Sequence, residues 1–113
     1  MLTPKPVRRD EEGDWTHPAL SEFAGDREYI PSDEWKAWQA KHNIETVIHQ
    51  MEYDLDEDHP AWIRHFDEGH PGSVGWNPEP PSEDWYMLSI HDTEDGPVVI
   101  WYREIPEQEG LRL

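Results

Sequence analysis

The sequence predicts a small α+β domain, with about three antiparallel strands and two helices packed on one face. Three observations lead there. Two apolar runs, Trp85–Ile90 and Val98–Tyr102, flank a segment of turn-forming and charged residues. Two stretches with helix-start chemistry lie upstream, and a run rich in β-branched residues separates them.

The chain has no apolar core at its start. Residues 1–13 carry Pro4, Pro6, the basic pair Arg8-Arg9 and then Asp10-Glu11-Glu12, with no periodicity, so a flexible tail is expected. Asp14-Trp15-Thr16-His17-Pro18 opens the domain, taken as residues 14–103, and Trp15 is expected to anchor an irregular segment to the core. Ala19–Ile30 has no clean period and reads as loop, with at most a short helical turn.

The first helix starts at Pro31-Ser32-Asp33-Glu34-Trp35. Ser32 is suited to cap it, and Asp33 and Glu34 complement the positive end of the helix dipole. Trp35 and Trp38 are three apart and share a face. The helix should stop at His42-Asn43, because Asn tolerates the left-handed conformation that ends helices. Ile44–Tyr53 contains Thr46, Val47 and Ile48, all β-branched, and has two partly apolar faces. It is therefore expected as a strand covered on both sides, in the middle of the sheet.

Pro60 suits the first turn of a second helix, capped by Asp58 or His59, with Trp62, Ile63 and Phe66 as its buried stripe and Gly69 as its stop. Residues 70–82, with two glycines and four prolines, form a loop pinned by Trp76. The hairpin follows. Asp95-Gly96 supplies a residue able to take positive φ, and Pro97, lacking an N–H, suits the start of the returning strand. Asp92, Thr93 and Asp95 are expected to hold the turn through side-chain-to-backbone bonds. Residues 104–113 are expected to be a flexible acidic tail.

Composition narrows the function classes. Seven tryptophans provide enough apolar area for a small core despite the heavy charge. There is no cysteine, which removes disulfides and thiolate sites. No run of about 20 apolar residues exists to span a bilayer, and the N-terminal segment lacks the apolar core of a signal peptide. A cytoplasmic protein is therefore expected. Nine Lys and Arg against 26 Asp and Glu give a net charge of −17. Such a chain repels nucleic acid and anionic membranes and is drawn to basic surfaces. An acidic surface also serves solubility or salt adaptation, so charge alone selects no partner.

No nucleophile elbow, phosphate-binding glycine loop or HExxH spacing is present, so the sequence nominates no catalytic residue, metal ligand set or cofactor. The nearest approach to a metal-dependent hydrolase is the scatter of His59, His65, His70 and His91-Asp92; His59 and His65, six apart, fall on different helical faces. The sharper candidate is an acidic, partner-binding surface. Glu52, Asp54, Asp56 and Asp58 share parity, so an extended run would align them about 6.6 Å apart, close to the spacing of backbone phosphates. Glu57, Asp67, Glu68, Asp92, Glu94 and Asp95 would extend it, with Glu83, Asp84 and Glu104 as further members. The expected partner is a protein with a basic nucleic-acid-binding surface. The third reading is an interaction module whose contact residues are aromatic, drawn from Trp15, Trp76 or Trp101.

The C-terminal third, with Trp76-Asn77-Pro78, Pro80-Pro81, Trp85 and the string Ile90-His91-Asp92-Thr93-Glu94-Asp95-Gly96-Pro97, resembles small uncharacterised accessory proteins of phages and prophages of Gram-negative bacteria. Asp14-Trp15-Thr16-His17-Pro18 echoes the same group. The resemblance implies a context rather than an activity: inhibition, in the host cytoplasm, of a defence enzyme such as a restriction or CRISPR nuclease, with nucleic-acid mimicry as one mode of action.

Overall fold

Val98–Glu104 is the strand on which the sheet is built, and it is buried from Val98 to Tyr102. A computed structural model of the chain describes residues 2–27 and 29–105. It contains Trp15–Thr16 (β1), Pro18–Ala24 (α1), Ser32–His42 (α2), Ile44–Gln50 (β2), Met51–Asp54 (α3) and Pro60–Trp62 (α4). A π-helical turn, Ile63–Asp67, continues α4, and Tyr86–His91 (β3) and Val98–Glu104 (β4) follow. The strands form one antiparallel sheet in the order β1-β3-β4-β2. The α+β class and the hairpin hold, with four strands rather than three. The extra strand is β1, two residues long, which pairs Trp15 with Ile90 and Thr16 with Ser89.

The sheet is covered on both faces, not one. Alternate residues of β4 point to opposite sides. Ile100 and Tyr102 join Leu2, Leu20, Trp38 and Ile44 beneath α1 and α2. Val99 and Trp101 join Met51, Ala61 and Trp76 on the other face, beneath α3, α4 and the 70–77 loop. The two expected helices thus lie on opposite sides. The pairing of β3 with β4 shifts register between Met87 and Ser89, and the bulge lets Leu88 enter the first cluster while Ile90 enters the second.

Because β4 takes the centre, β2 lies at the sheet edge, correcting the central placement expected for it. β2 also ends at Gln50 rather than Tyr53. Gln50 pairs with Val98, and beyond it Met51 donates its N–H to the Pro97 carbonyl at 2.9 Å. Pro97 has no N–H to return, so the ladder stops there and Met51–Asp54 coils into one helical turn.

Local end signals act largely where expected. Asn43 takes the left-handed conformation at φ 55° and closes α2. His59 caps α4, its Nδ1 accepting from the Ala61 N–H at 3.0 Å. His17 caps α1 the same way through Ala19, giving a seven-residue helix where loop with at most a short helical turn was expected. Ser32 is the first residue of α2 rather than its cap, and Pro31 holds the cap position with no side-chain bond. Trp62, Ile63 and Phe66 are half-buried, and Ala61 is the buried residue of that helix. Trp35 and Trp38 stack 5.6 Å apart.

The expected N-terminal tail is anchored at two points. Leu2 packs into the first cluster. The Arg9 guanidinium donates to the carbonyls of Gly13, Trp76 and Ser73 at 2.7, 2.6 and 2.7 Å. At the other end Glu104 is part of β4, and Ile105 donates to the Asn43 carbonyl. The rest of the expected acidic tail, residues 106–113, lies outside the described residues.

Candidate functional site: an acidic pole

The antiparallel order puts three chain segments at one end of the sheet. The C-terminal ends of β2 and β3, the first residue of β4 and the start of β1 all lie there, since Gln50 and His91 both flank Val98 and Trp15 flanks Ile90. The segments leaving these ends are 10–14, 51–58 and 92–97. The π-helical turn after α4 reaches the same place, because Gly96 lies against the Phe66 ring and His65 Nε2 is 3.8 Å from Asp92 Oδ1.

The result is a pole bearing fourteen of the chain's 26 carboxylates: Asp10, Glu11, Glu12, Asp14, Glu52, Asp54, Asp56, Glu57, Asp58, Asp67, Glu68, Asp92, Glu94 and Asp95. Among the described residues, the Arg and Lys ion pairs engage Glu34, Glu45 and Asp84, none of which is in this set. Arg103 holds Glu45 at 2.8 Å and Asp84 at 3.2 Å at the opposite end of the sheet. Arg9 is near Asp14, but it gives its closest N–H contacts to carbonyls.

Ten of the residues expected in the acidic surface lie at this pole, though not in the arrangement expected, while Asp84, held by Arg103, and Glu104, paired with Ile44, lie at the opposite end of the sheet. The extended ladder over 52–58 does not form, because 51–54 is helical. Met51 and Leu55, one turn apart, turn into the core and leave Glu52, Asp56, Glu57 and Asp58 exposed. Asp54 and Asp92 have structural duties. Asp54 Oδ2 accepts from the Trp76 indole N–H at 2.7 Å, and Asp92 Oδ2 accepts from the Gly72 N–H at 3.1 Å. Thr93, not the aspartates, holds the hairpin turn: its hydroxyl donates to the Gly96 carbonyl at 2.7 Å and accepts from the Asp95 N–H. Asp10 to Asp14 were not legible as part of a site, because only the pairing of β1 and the Arg9 bonds bring them here.

Asp14 registers the resulting field. Burial first, then the charges of Asp10, Glu12 and Asp92, push its carboxyl from the ordinary 3.8 up to about 6, against the opposing pull of Arg9. A folded value above the unfolded one means that the folded chain holds the extra proton between about pH 4 and 6. Stability contributed by the neutral form is therefore lost as pH rises through that window. Asp14→Asn is accordingly expected to raise stability at pH 7.5 by about 1 kcal/mol, after allowance for solvent screening. The gain should vanish by pH 4, as thermal unfolding of both proteins across pH 4–8 will read. His91, lowered by burial, shifts stability in the opposite sense in both proteins, so the difference between them isolates Asp14.

The histidines named for a hydrolase make separate local contacts. His59 caps α4, His91 Nδ1 is 2.8 Å from the Ser89 hydroxyl, and His70 contacts Glu68 at 3.9 Å. Among the described residues no three His, Asp or Glu side chains converge to hold a metal ion. The aromatic contact surface fares similarly. Trp76 and Trp101 are core residues and Trp15 is half-buried, while the exposed rings are Tyr29, Tyr53 and Tyr86. No described helix is long and apolar enough to cross a membrane. No protein-family model, curated protein or solved structure matches the chain.

Proposed function

We propose that the protein is a phage-type accessory inhibitor whose acidic pole binds the basic nucleic-acid-binding surface of a host defence enzyme and occludes it. The observation that carries this reading is the convergence of fourteen carboxylates at one end of a folded sheet with no Arg or Lys ion pair among the described residues there. Unneutralised charge on a rigid support costs stability through self-repulsion, and it gives long-range attraction to a cationic groove. Because much of the charge sits on ordered turns fixed by Trp76, Gly72 and Thr93, binding requires little ordering of the chain.

The test is affinity capture from host lysate on the immobilised full chain, with duplex DNA as competitor. A nucleic-acid enzyme that is displaced by DNA, and bound steeply less well as salt rises, is the expected result. The combined variant Asp56→Lys, Glu57→Lys and Asp58→Lys reverses three exposed charges with no hydrogen-bonding duty among the described residues. It should unfold within a few degrees of the wild type while losing at least about tenfold in affinity, roughly 1.4 kcal/mol. Capture that survives this variant undiminished refutes the reading.

A further inference from the structure

β2 is an edge strand with the features of a self-pairing surface. Asn43 accepts from the Ile105 N–H and Met51 donates to Pro97, so the odd-numbered residues between them, Glu45, Val47 and His49, turn their backbone groups toward β4. The N–H and C=O groups of Ile44, Thr46, Ile48 and Gln50 therefore point away from the sheet, where no described strand pairs with them. Exposed edges in monomers are usually blunted by lysine, proline or a bulge. β2 has none of these: it reads IETVIHQ and pairs with β4 over seven consecutive residues without a register shift. Beside it Ile48 is 54% exposed, and an open groove of about 570 Å³ runs along Ile48–Gln50, Tyr53 and Asp54.

We propose that the occupant of this edge is a second copy of the chain, paired antiparallel about Val47 to make one continuous sheet of eight strands. The outward parity of Ile44, Thr46, Ile48 and Gln50 admits centres at Thr46, Val47 and Ile48, and the centre at Val47 is the one that pairs all seven residues of β2. Outward-facing residues must pair with outward-facing residues, which places Thr46 opposite Ile48 of the second copy and Ile44 opposite Gln50, with up to about eight new backbone hydrogen bonds. The same register sets Glu45 opposite His49 of the second copy, a favourable cross-strand pair. The antiparallel sense also answers the charge problem. Each acidic pole lies at the C-terminal end of its own β2, so the two poles end up far apart. The remaining repulsion between two chains of net charge −17 is screened by salt. This dimer should therefore tighten as salt rises, opposite to binding through the acidic pole.

Sedimentation of the full chain over a range of concentrations, at low and physiological salt, provides the test, with amide exchange beside it. A species of twice the monomer mass is expected, favoured by salt. The amides of Thr46, Ile48 and Gln50 should become protected with concentration, while those of Glu45, Val47 and His49 are protected throughout. Ile48→Lys, at an exposed side chain, and His49→Glu, which sets like charges opposite Glu45, should each weaken the dimer about tenfold or more, since each change occurs twice in the interface. Circular dichroism should show both variants folded. A monomer at every concentration overturns the proposal. So does a dimer that both variants leave unchanged.

Discussion

Trp76→Ala is expected to cost about 3–5 kcal/mol, the largest loss from any single truncation in this chain. Trp76 is 1% exposed and fills the second core cluster between Met51, Ala61 and Trp101. Its removal leaves a cavity that the surrounding side chains fill only in part. Its polar groups also tie three segments together. The indole N–H donates to Asp54 at 2.7 Å, the carbonyl accepts from Arg9 at 2.6 Å, and the backbone N–H donates to the Ser73 carbonyl at 3.0 Å. Against a typical total stability of about 5–15 kcal/mol, such a loss leaves the variant marginal or unfolded at 37 °C. The melting temperature should fall by roughly 12–20 °C. Trp76→Phe separates the two contributions: it keeps most of the apolar volume and gives up the Asp54 bond, and about a third of the loss is expected. An equal loss in both variants would show that the bond, not the volume, holds the loop.

How legible this fold is from its sequence depends on whether each signal is local. The end of α2 at Asn43, the cap at His59, positive φ at Gly96 and Pro97 as the last residue before β4 all follow from the conformational limits of one or two residues. What escapes is set by partners far along the chain. β1 is two residues long and is a strand only because β3 receives it. The edge position of β2 depends on β4, whose residues 98–102 are all buried and so claim the centre. A run with two partly apolar faces fits a central strand equally well, and β2 owes its apolar faces to the helices above and below it.

The acidic pole follows the same division. The residue types and most of their positions were readable, but the device expected to align them, an extended run over 52–58, is not what gathers them. Pro97 ends the β2 ladder at Gln50, and the turn at Met51–Asp54 follows from that. Asp10, Glu11, Glu12 and Asp14 join through Arg9, whose partners are carbonyls 4, 64 and 67 residues away. An arginine in a polar N-terminal segment gives no sequence sign of such contacts. The duties of Asp54 and Asp92 were equally hidden, and they matter for any charge reversal. Replacing Asp54 would disturb the Trp76 anchor as well as the field, which is why residues 56–58 make the cleaner probe.

The second large effect is expected at a glycine of the same loop. Gly72 adopts φ +84°, and a Cβ built there would lie 2.2 Å from the Glu12 carbonyl oxygen and 3.0 Å from its carbonyl carbon. These are backbone atoms, so no side-chain rotation relieves the clash. Ser73 donates to that same carbonyl at 2.7 Å and Gly72 itself donates to Asp92 at 3.1 Å, so a shift of either strand of chain loses both bonds. Left-handed backbone costs an L-residue about 1–2 kcal/mol, and overpacking adds about 1–3. Gly72→Ala should therefore lose about 3 kcal/mol and release segment 10–14 from the acidic pole. Gly75→Ala is the control. Its φ is +87°, but a Cβ there meets the Ala61 methyl at 3.5 Å, an ordinary contact, so only the backbone contribution of about 1–2 kcal/mol should appear. Thermal unfolding of the pair reads the difference. If the two alanines cost the same, residues 12 and 72 are not in the close contact described, and the N-terminal acids do not belong to the pole.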